Sequence, residues 1–313
     1  MNGSTGLCLL LGALTGLTAL DKWRSLGWRP RGAVQRAGCW ALTIAPFFFL
    51  ATAPPTYALI DRATGLPNAA LVVSTSLLAI LLWVHQPLVE HGLHQHVGPP
   101  GRARRALLSP WPMLGTIALP TTLFALAPIH QGGTPGYPAF IARYATAPLT
   151  PAFVAAMAAY PAVAFAQMAY LSLRVAGRLP TADLRLRAWL WAGGHALGLA
   201  LIAHEFAYIA ARRSGLPYDR ASLTRGALLL TSVGLLMSGG LVDFGVWVGR
   251  YRAYRRLRPL LEALRRATPD VPTHPPRAAG PGLAGLELRL QARAAEIRDR
   301  ESVLLPYVEP AVT

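Results

Sequence analysis

Seven apolar segments recur along the chain, and short arginine-containing loops separate them. Each has about 17 to 24 residues, and at 1.5 Å of rise per residue a helix of that length covers a hydrocarbon layer about 30 Å thick. Because backbone inside lipid must satisfy its own hydrogen bonds, each segment is expected to be helical. The segments are residues 4–20, 39–60, 69–89, 107–127, 152–175, 189–211 and 226–249. The pattern predicts an all-α, polytopic membrane protein with seven transmembrane helices.

Composition agrees with that class, because 53% of the residues are hydrophobic and only 14% are charged. Soluble domains average about 25% charged residues. The net charge is +16, but the arginines lie beside the apolar segments and not on one soluble face. We therefore expect the lipid bilayer, with anionic lipids at the basic loops, to be the partner, and not nucleic acid. Cys8 and Cys39 lie near opposite ends of neighbouring spans, so a disulfide is not expected.

The basic residues are distributed unevenly between alternate loops. The loops after spans 1, 3 and 5 hold five, three and four basic residues, counting Arg174 at the end of span 5 with the last, and the tail holds twelve. The loops after spans 2, 4 and 6 hold one, one and four. The positive-inside rule then predicts an external N-terminus, a cytosolic C-terminus and a multi-pass protein of the plasma membrane.

Two spans contain prolines that disturb a regular helix, and a polar turn follows the first of them. Pro46, Pro54 and Pro55 are expected to kink or unwind span 2, and prolines make span 4 the least regular. After span 2, Asp61 and Arg62 are expected to form a local ion pair that closes a polar turn.

The chain divides into a membrane domain, residues 1–250, and a cytosolic helical domain, residues 251–313. The tail begins with a basic amphipathic helix, expected at the inner membrane surface or against the rest of the tail. A Pro/Gly linker at about 268–282 precedes a second helix, where Glu296 and Arg300 form an i,i+4 pair on the exposed side. The apolar positions of the first helix are Leu257, Leu260, Leu261 and Leu264.

The tail sequences LRPLLEALRRATPDV and LELRLQARAAEIRDRESVLLPY resemble the C-terminal domain of an actinobacterial membrane family with seven predicted spans. Members of that family are labelled as transporters by prediction alone, and their C-terminal domain is a domain of unknown function. The turn IDRATGLPN, residues 60–68, is also similar to its loop after span 2. Leu261 stands where the family usually has tryptophan, and Ala292 where it has arginine. The resemblance implies seven spans and a cytosolic domain, but no substrate. The matching residues are Arg258, Pro259, Leu260, Leu264, Pro269, Arg289, Leu290, Glu296, Ile297, Arg298 and Asp299.

Polar side chains inside span 6 are the first candidates for a site, because such groups are costly at bilayer depth. His195, His204 and Glu205 lie in this span, and Tyr208 is one turn beyond the last two. A polar cavity between spans 5, 6 and 7 would suit a ligand or a proton relay, whereas the alternative is interhelical hydrogen bonds that hold the bundle together. The other candidates are Tyr160, Gln167, Tyr170 and Arg174 on span 5 and Asp243 on span 7.

No catalytic, cofactor or metal site is predicted. His204 and Glu205 begin an HExxH-like motif, but Tyr208 replaces its second histidine. The glycines 280, 282 and 285 match GxGxxG without a preceding strand, so a dinucleotide site is not expected. A Ser-His-Asp triad could be assembled from Ser232 or Ser238 with His195 and Asp243, but no motif connects these residues, so a hydrolytic site is not expected. A histidine-rich stretch at the cytosolic end of span 3 could ligate a metal, although solvated loop histidines are the simpler interpretation; its members are His85, His91, His94 and His96, with Glu90.

Three classes of function remain open at this point. The first is a small-molecule transporter or ligand-binding membrane protein. The second is a membrane-anchored sensor or regulator whose tail recruits a cytosolic protein. The third, a membrane-embedded enzyme acting on lipids or prenyl chains, is less favoured because the spans lack paired aspartates. The candidate docking residues of the tail are Arg289, Glu296, Arg298 and Asp299.

Overall fold

A computed structural model describes the backbone of residues 3–25, 33–97, 102–127, 129, 137–216, 221–271 and 283–305. These residues form helices, with no strand among them. The chain forms two compact units, Met1–Gly239 and Gly240–Thr313. The helices are α1 (Gly3–Ser25), α2 (Ala33–Thr52), α3 (Pro54–Thr64), α4 (Ala69–Val97), α5 (Arg102–Leu108), α6 (Pro110–Leu126), α7 (Tyr137–Tyr144), α8 (Thr150–Ala176), α9 (Ala182–Arg213), α10 (Ala221–Ala267) and α11 (Leu283–Leu304).

Several of these helices can cross a membrane. Within the described part of the chain, four are long and apolar enough, and a fifth crossing results if a bent helix pair counts as one span. The all-helical class with several apolar spans is therefore confirmed, whereas the number seven and the orientation stay predictions. The four spans are Thr5–Arg24, Ala69–Pro87, Thr150–Ala176 and Ala182–Arg213, and the pair is Arg36–Thr52 with Pro54–Thr64.

The bent pair shows how prolines divide a span. α2 and α3 meet at an angle of 85°, and Ala53 between them has extended backbone, with φ −70° and ψ 131°. Two consecutive prolines follow it, and proline disfavours helical backbone in the preceding residue while supplying no N–H. The predicted disruption of span 2 is confirmed at Pro54 and Pro55, whereas Pro46 stays inside α2.

Asp61 caps the next helix and forms no ion pair with its neighbour. Its carboxylate accepts hydrogen bonds from the backbone N–H groups of Asn68 (2.7 Å) and Ala70 (3.0 Å), at the start of α4. The N–H groups of a first helical turn lack partners inside the helix, so a carboxylate there satisfies two of them. Arg62 donates to the carbonyl of Ala58. The predicted Asp61–Arg62 pair is absent from the described salt bridges.

The first unit is held together by two groups of buried apolar side chains. One includes Phe124, Phe140 and Phe153, whose rings stack at tilted angles with centroids about 6 Å apart. The second surrounds Leu82, Met168 and other residues of α4, α6, α8 and α9. Together they fix α4, α8 and α9 side by side, and these helices carry the candidate site.

α10 continues where the sequence suggested a break at Gly249. It runs as one helix through the basic segment and through Pro259 to Ala267. The residues change from apolar to basic near Gly249, so one part of the helix favours lipid and the other favours water. None of these residues ends a helix there. The proposed boundary between residues 250 and 251 therefore lies inside a helix.

In the second unit, arginine side chains join α11 to α10. Arg293 donates to the carbonyl of Tyr254 (2.6 Å), and its guanidinium lies 3.5 Å from the centroid of that ring. Arg300 is only 1% exposed and donates to the carbonyls of Thr268 (2.6 Å) and Val271 (3.0 Å). The predicted Glu296–Arg300 pair is present at 3.1 Å. Its expected exposed position is wrong, because Arg300 is buried by the contacts that it makes to Thr268 and Val271, just after the end of α10.

Candidate functional site

Among the described residues of the first unit, a group of buried polar contacts joins α4, α5 and α8. Gln86 and Glu90 lie one turn apart on α4, so their side chains share a face. Tyr160 and Gln167 lie two turns apart on α8, and Arg104 comes from α5. We refer to these five residues as the α4–α8 polar cluster.

Hydrogen bonds connect the members of the cluster in two groups. Arg104 Nε donates to Glu90 Oε1 at 2.6 Å, and Gln167 Nε2 donates to the same oxygen at 3.1 Å. The hydroxyl of Tyr160 donates to Gln86 Oε1 at 3.2 Å. Gln86 is 1% exposed and Tyr160 3% exposed, so these bonds form away from solvent.

Three buried polar atoms of the cluster have no hydrogen-bond partner. They are Gln86 Nε2, Arg104 Nη2 and Gln167 Oε1. An unsatisfied buried donor or acceptor costs about 1–3 kcal/mol, and native proteins satisfy most such atoms with protein groups, water or a ligand. Three such atoms therefore occur in this cluster, on α4, α5 and α8, and water or a polar molecule is one way in which buried atoms of this kind are satisfied.

His195 belongs to a separate aromatic contact. Its ring lies 5.8 Å from the ring of His85 on α4 and 6.1 Å from Phe165 on α8, and it is 1% exposed. Its Nδ1 is also without a hydrogen-bond partner. Because His85 directly precedes Gln86 in α4, the histidine contact and the polar cluster occupy adjacent positions of one helix.

The remaining candidates of the membrane domain are more dispersed. His204 and Glu205 are buried in α9, and Tyr208 packs against the apolar group that contains Phe153. Tyr170 is 59% exposed, in contrast to Tyr160 on the same helix. The side chains of Asp243 and of the histidines 91, 94 and 96 lie outside the described residues. Among the described side chains, no three His, Cys, Asp or Glu residues are grouped as metal ligands.

Sequence reasoning identified Tyr160 and Gln167 but missed their partners. The sequence pattern does not mark Gln86, places Glu90 only beside the histidines, and includes Arg104 only as one of the three basic residues after span 3. The available signal was the i,i+4 spacing of Gln86 and Glu90 at the end of an apolar segment. It points to a polar face, but it does not identify the helix that this face meets.

In the tail, Glu296 is engaged within its own unit. Both carboxylate oxygens accept from Arg265, at 2.8 and 2.9 Å, and Arg300 also contacts Oε1. The hydrogen bond from Arg265 lowers the pKa of Glu296 below its usual value of 4.5. Arg298 and Asp299 are exposed, whereas Arg289 is half-buried.

Comparison with protein families gives one match, confined to the tail. Residues 246–313 match a family of unknown function (DUF6545). Comparisons with curated proteins and with solved structures give no match. The expectation that the tail is a domain of unknown function is confirmed, and the matched residues contain the described part of α10 from residue 246 onward and all of α11.

Proposed function

We propose that this chain is a plasma-membrane protein that binds and transports a small polar molecule at the α4–α8 polar cluster. The observation that carries the proposal is the set of three unpartnered buried polar atoms on Gln86, Arg104 and Gln167. Buried polar atoms without partners reduce stability, and a ligand that pairs with them would recover their lost hydrogen bonds.

In this proposal the chain crosses the bilayer seven times, with the N-terminus outside, as in the actinobacterial family that it resembles. The four single spans and the α2–α3 pair supply five crossings. α6, with 17 residues, spans about 26 Å, and the apolar part of α10 supplies the seventh. The arginine-rich loops support the orientation. Reporter fusions at the two ends test it, since both ends on one side of the membrane would contradict an odd number of crossings.

Two tyrosines of α8 offer a matched pair of variants for the binding site. Tyr160→Phe removes a buried hydroxyl that bonds Gln86, whereas Tyr170→Phe removes an exposed one from the same helix. We expect Tyr160→Phe to slow the entry of at least one solute into proteoliposomes by about tenfold, the equivalent of one lost hydrogen bond of about 1.4 kcal/mol. Tyr170→Phe should have no effect.

The measurement is stopped-flow light scattering over a panel of small neutral, anionic and cationic solutes. Gel filtration and thermal unfolding of both variants show whether the fold is intact. If no solute enters faster with the wild-type protein than with protein-free vesicles, or if the two variants behave alike, the site has no transport role.

A second candidate function is regulation through the tail. The family match is confined to this region, and Arg298 and Asp299 remain exposed while Glu296 is engaged internally. We propose that these two residues, with Arg289, contact a cytosolic protein. Deletion of residues 251–313 distinguishes the two functions. A transporter that does not need its tail keeps its solute flux, whereas a regulator loses its regulatory activity.

The exposed face of the tail portion of α10 supports contact with anionic lipid. Its arginines 252, 255, 256 and 266 are exposed, and no described acidic side chain pairs with them. Each arginine near an anionic surface contributes about 1 kcal/mol to binding. The apolar positions of this segment include the buried Leu261, so we propose electrostatic contact and not insertion.

A further inference from the structure

We infer that α3 lies along the membrane surface and binds lipid through its exposed face, at the level where headgroups meet acyl chains. This position requires only that α2 and α4 cross the membrane, and it is independent of any ligand at the α4–α8 polar cluster. Three observations support it, namely the angle at which α3 leaves α2, its bond to the start of α4, and the side chains of its exposed face.

The first end of α3 is placed by α2. α2 has 20 residues and is therefore about 30 Å long, enough to cross the hydrocarbon layer without α3. α3 then leaves at an angle of 85°. Because membrane spans tilt by only about 20° on average, a helix at this angle to a span runs close to the plane of the membrane.

The second end of α3 is placed by α4. The apolar span of α4 begins at Ala69. The carboxylate of Asp61, near the end of α3, accepts hydrogen bonds from the backbone N–H groups of Asn68 and Ala70, on either side of that point. Asp61 therefore lies at the level where α4 enters the membrane, and Pro54 lies where α2 leaves it. Both ends of this 11-residue helix are thus at one membrane boundary.

The exposed face of α3 is apolar apart from one arginine. Leu59 is 57% exposed, and the exposed Ala63 lies one turn further along the same face. Tyr57 is buried on the side of the helix that meets the bundle. Arg62 is exposed beside Leu59, and an arginine in this position reaches phosphate with its guanidinium while its methylenes stay in contact with lipid. An apolar face with a basic side chain suits the boundary between acyl chains and anionic headgroups.

The depth of α3 can be measured with nitroxide labels in the full-length protein. Leu59→Cys and Ala63→Cys are labelled one at a time after Cys8 and Cys39 have been replaced by alanine. The protein is reconstituted in vesicles of phosphatidylglycerol and phosphatidylcholine, and collision rates with oxygen and with a water-soluble nickel chelate give the depth. We expect both labels about 5–10 Å below the phosphates.

Two controls define the limits of the depth scale. Val163→Cys places a label at the middle of the span Thr150–Ala176, where the native side chain is 45% exposed. Asp299→Cys places one on the exposed face of α11, outside the apolar spans. Labels on α3 as deep as the first control, as wet as the second, or shielded from both reagents by protein would each overturn the inference. Solute flux has no part in these outcomes, so they are separate from the test of transport.

The wild-type protein provides a second measurement, because replacing the buried Cys39 could disturb the fold. Photoactivatable lipids carry a diazirine either near the glycerol or at the end of an acyl chain, and mass spectrometry locates the labelled peptides. We expect the first lipid to label residues 55–66 and the second to label residues around 163. Residues 55–66 labelled by the second lipid alone, or by neither, would contradict the proposed position of α3.

Discussion

The Glu90–Arg104 ion pair is the element of the site whose removal has the largest expected effect. Glu90 Oε1 accepts from both Arg104 and Gln167. In Arg104→Met the carboxylate loses its only described cationic partner and stays largely buried. In Glu90→Gln the guanidinium keeps its charge without a described anionic partner. Each single variant therefore leaves one uncompensated charge, whereas the double variant leaves none.

The loss of stability expected for each variant follows from the burial of the two side chains. Breaking a fully buried pair by removing one partner costs about 3–5 kcal/mol. Because the two side chains are 16% and 11% exposed, the lower end of about 3 kcal/mol applies to each single variant. The double variant leaves no uncompensated charge and should cost no more than either single variant, at most about 3 kcal/mol, which corresponds to a coupling energy of at least about 3 kcal/mol.

The assay is equilibrium unfolding in lipid bicelles, followed by tryptophan fluorescence, for the wild type, both singles and the double variant. The Arg258–Glu262 pair of α10 is the control, because its side chains are 69% and 46% exposed. The same cycle there should show no measurable coupling. Strictly additive effects at Glu90 and Arg104, or single variants as stable as the wild type, would refute the reasoning.

Two further predictions concern packing and pH. A Cβ at Gly198 would lie 3.1 Å from ring carbons of Phe165, so Gly198→Ala should destabilise the contact between α8 and α9. Overpacking costs about 1–3 kcal/mol, and the higher helix propensity of alanine offsets about 1 kcal/mol of it. Gly115→Ala is the control: nothing lies within 4 Å of its Cβ, so it should be neutral or stabilising in the same unfolding assay. Because hydrogen bonding from Arg265 lowers the pKa of Glu296 below 4.5, its contribution to the tail is fully present above pH 4.5 and is lost as the pH falls through the lowered value. Distances between spin labels on the exposed faces of α10 and α11 should therefore hold at pH 7 and lengthen well below pH 4.5, and Glu296→Gln should remove most of this pH dependence. Unchanged distances in acid would contradict it.

The sequence predicted helix positions better than helix contacts. Segment length and prolines locate the apolar helices and the break at Pro54, because both act on the local backbone. The α4–α8 polar cluster depends on pairs separated by 74 and 77 positions, namely Tyr160 with Gln86 and Gln167 with Glu90. Helical periodicity predicts which face of a helix is polar, but it does not predict which other helix packs against that face.

The tail illustrates the same limit. The i,i+4 spacing predicted the Glu296–Arg300 contact, which is local. Burial of Arg300 depends on Thr268 and Val271, which lie 32 and 29 positions earlier in the chain and have no periodic relation to α11. A charged side chain is therefore expected on the surface, although three acceptors of Thr268 and Val271, just after the end of α10, receive its hydrogen bonds.

The arginine contacts of α11 have a consequence for variation in chain length. They hold the second tail helix by side chains at both Tyr254 and Thr268, and residues 272–282 follow these contacts in the chain before α11 begins. In general, the entropy of closing a connecting segment grows only slowly with its length. Insertions or deletions in this stretch should therefore be tolerated among natural variants, while Arg293 and Arg300 should not be exchanged for shorter side chains.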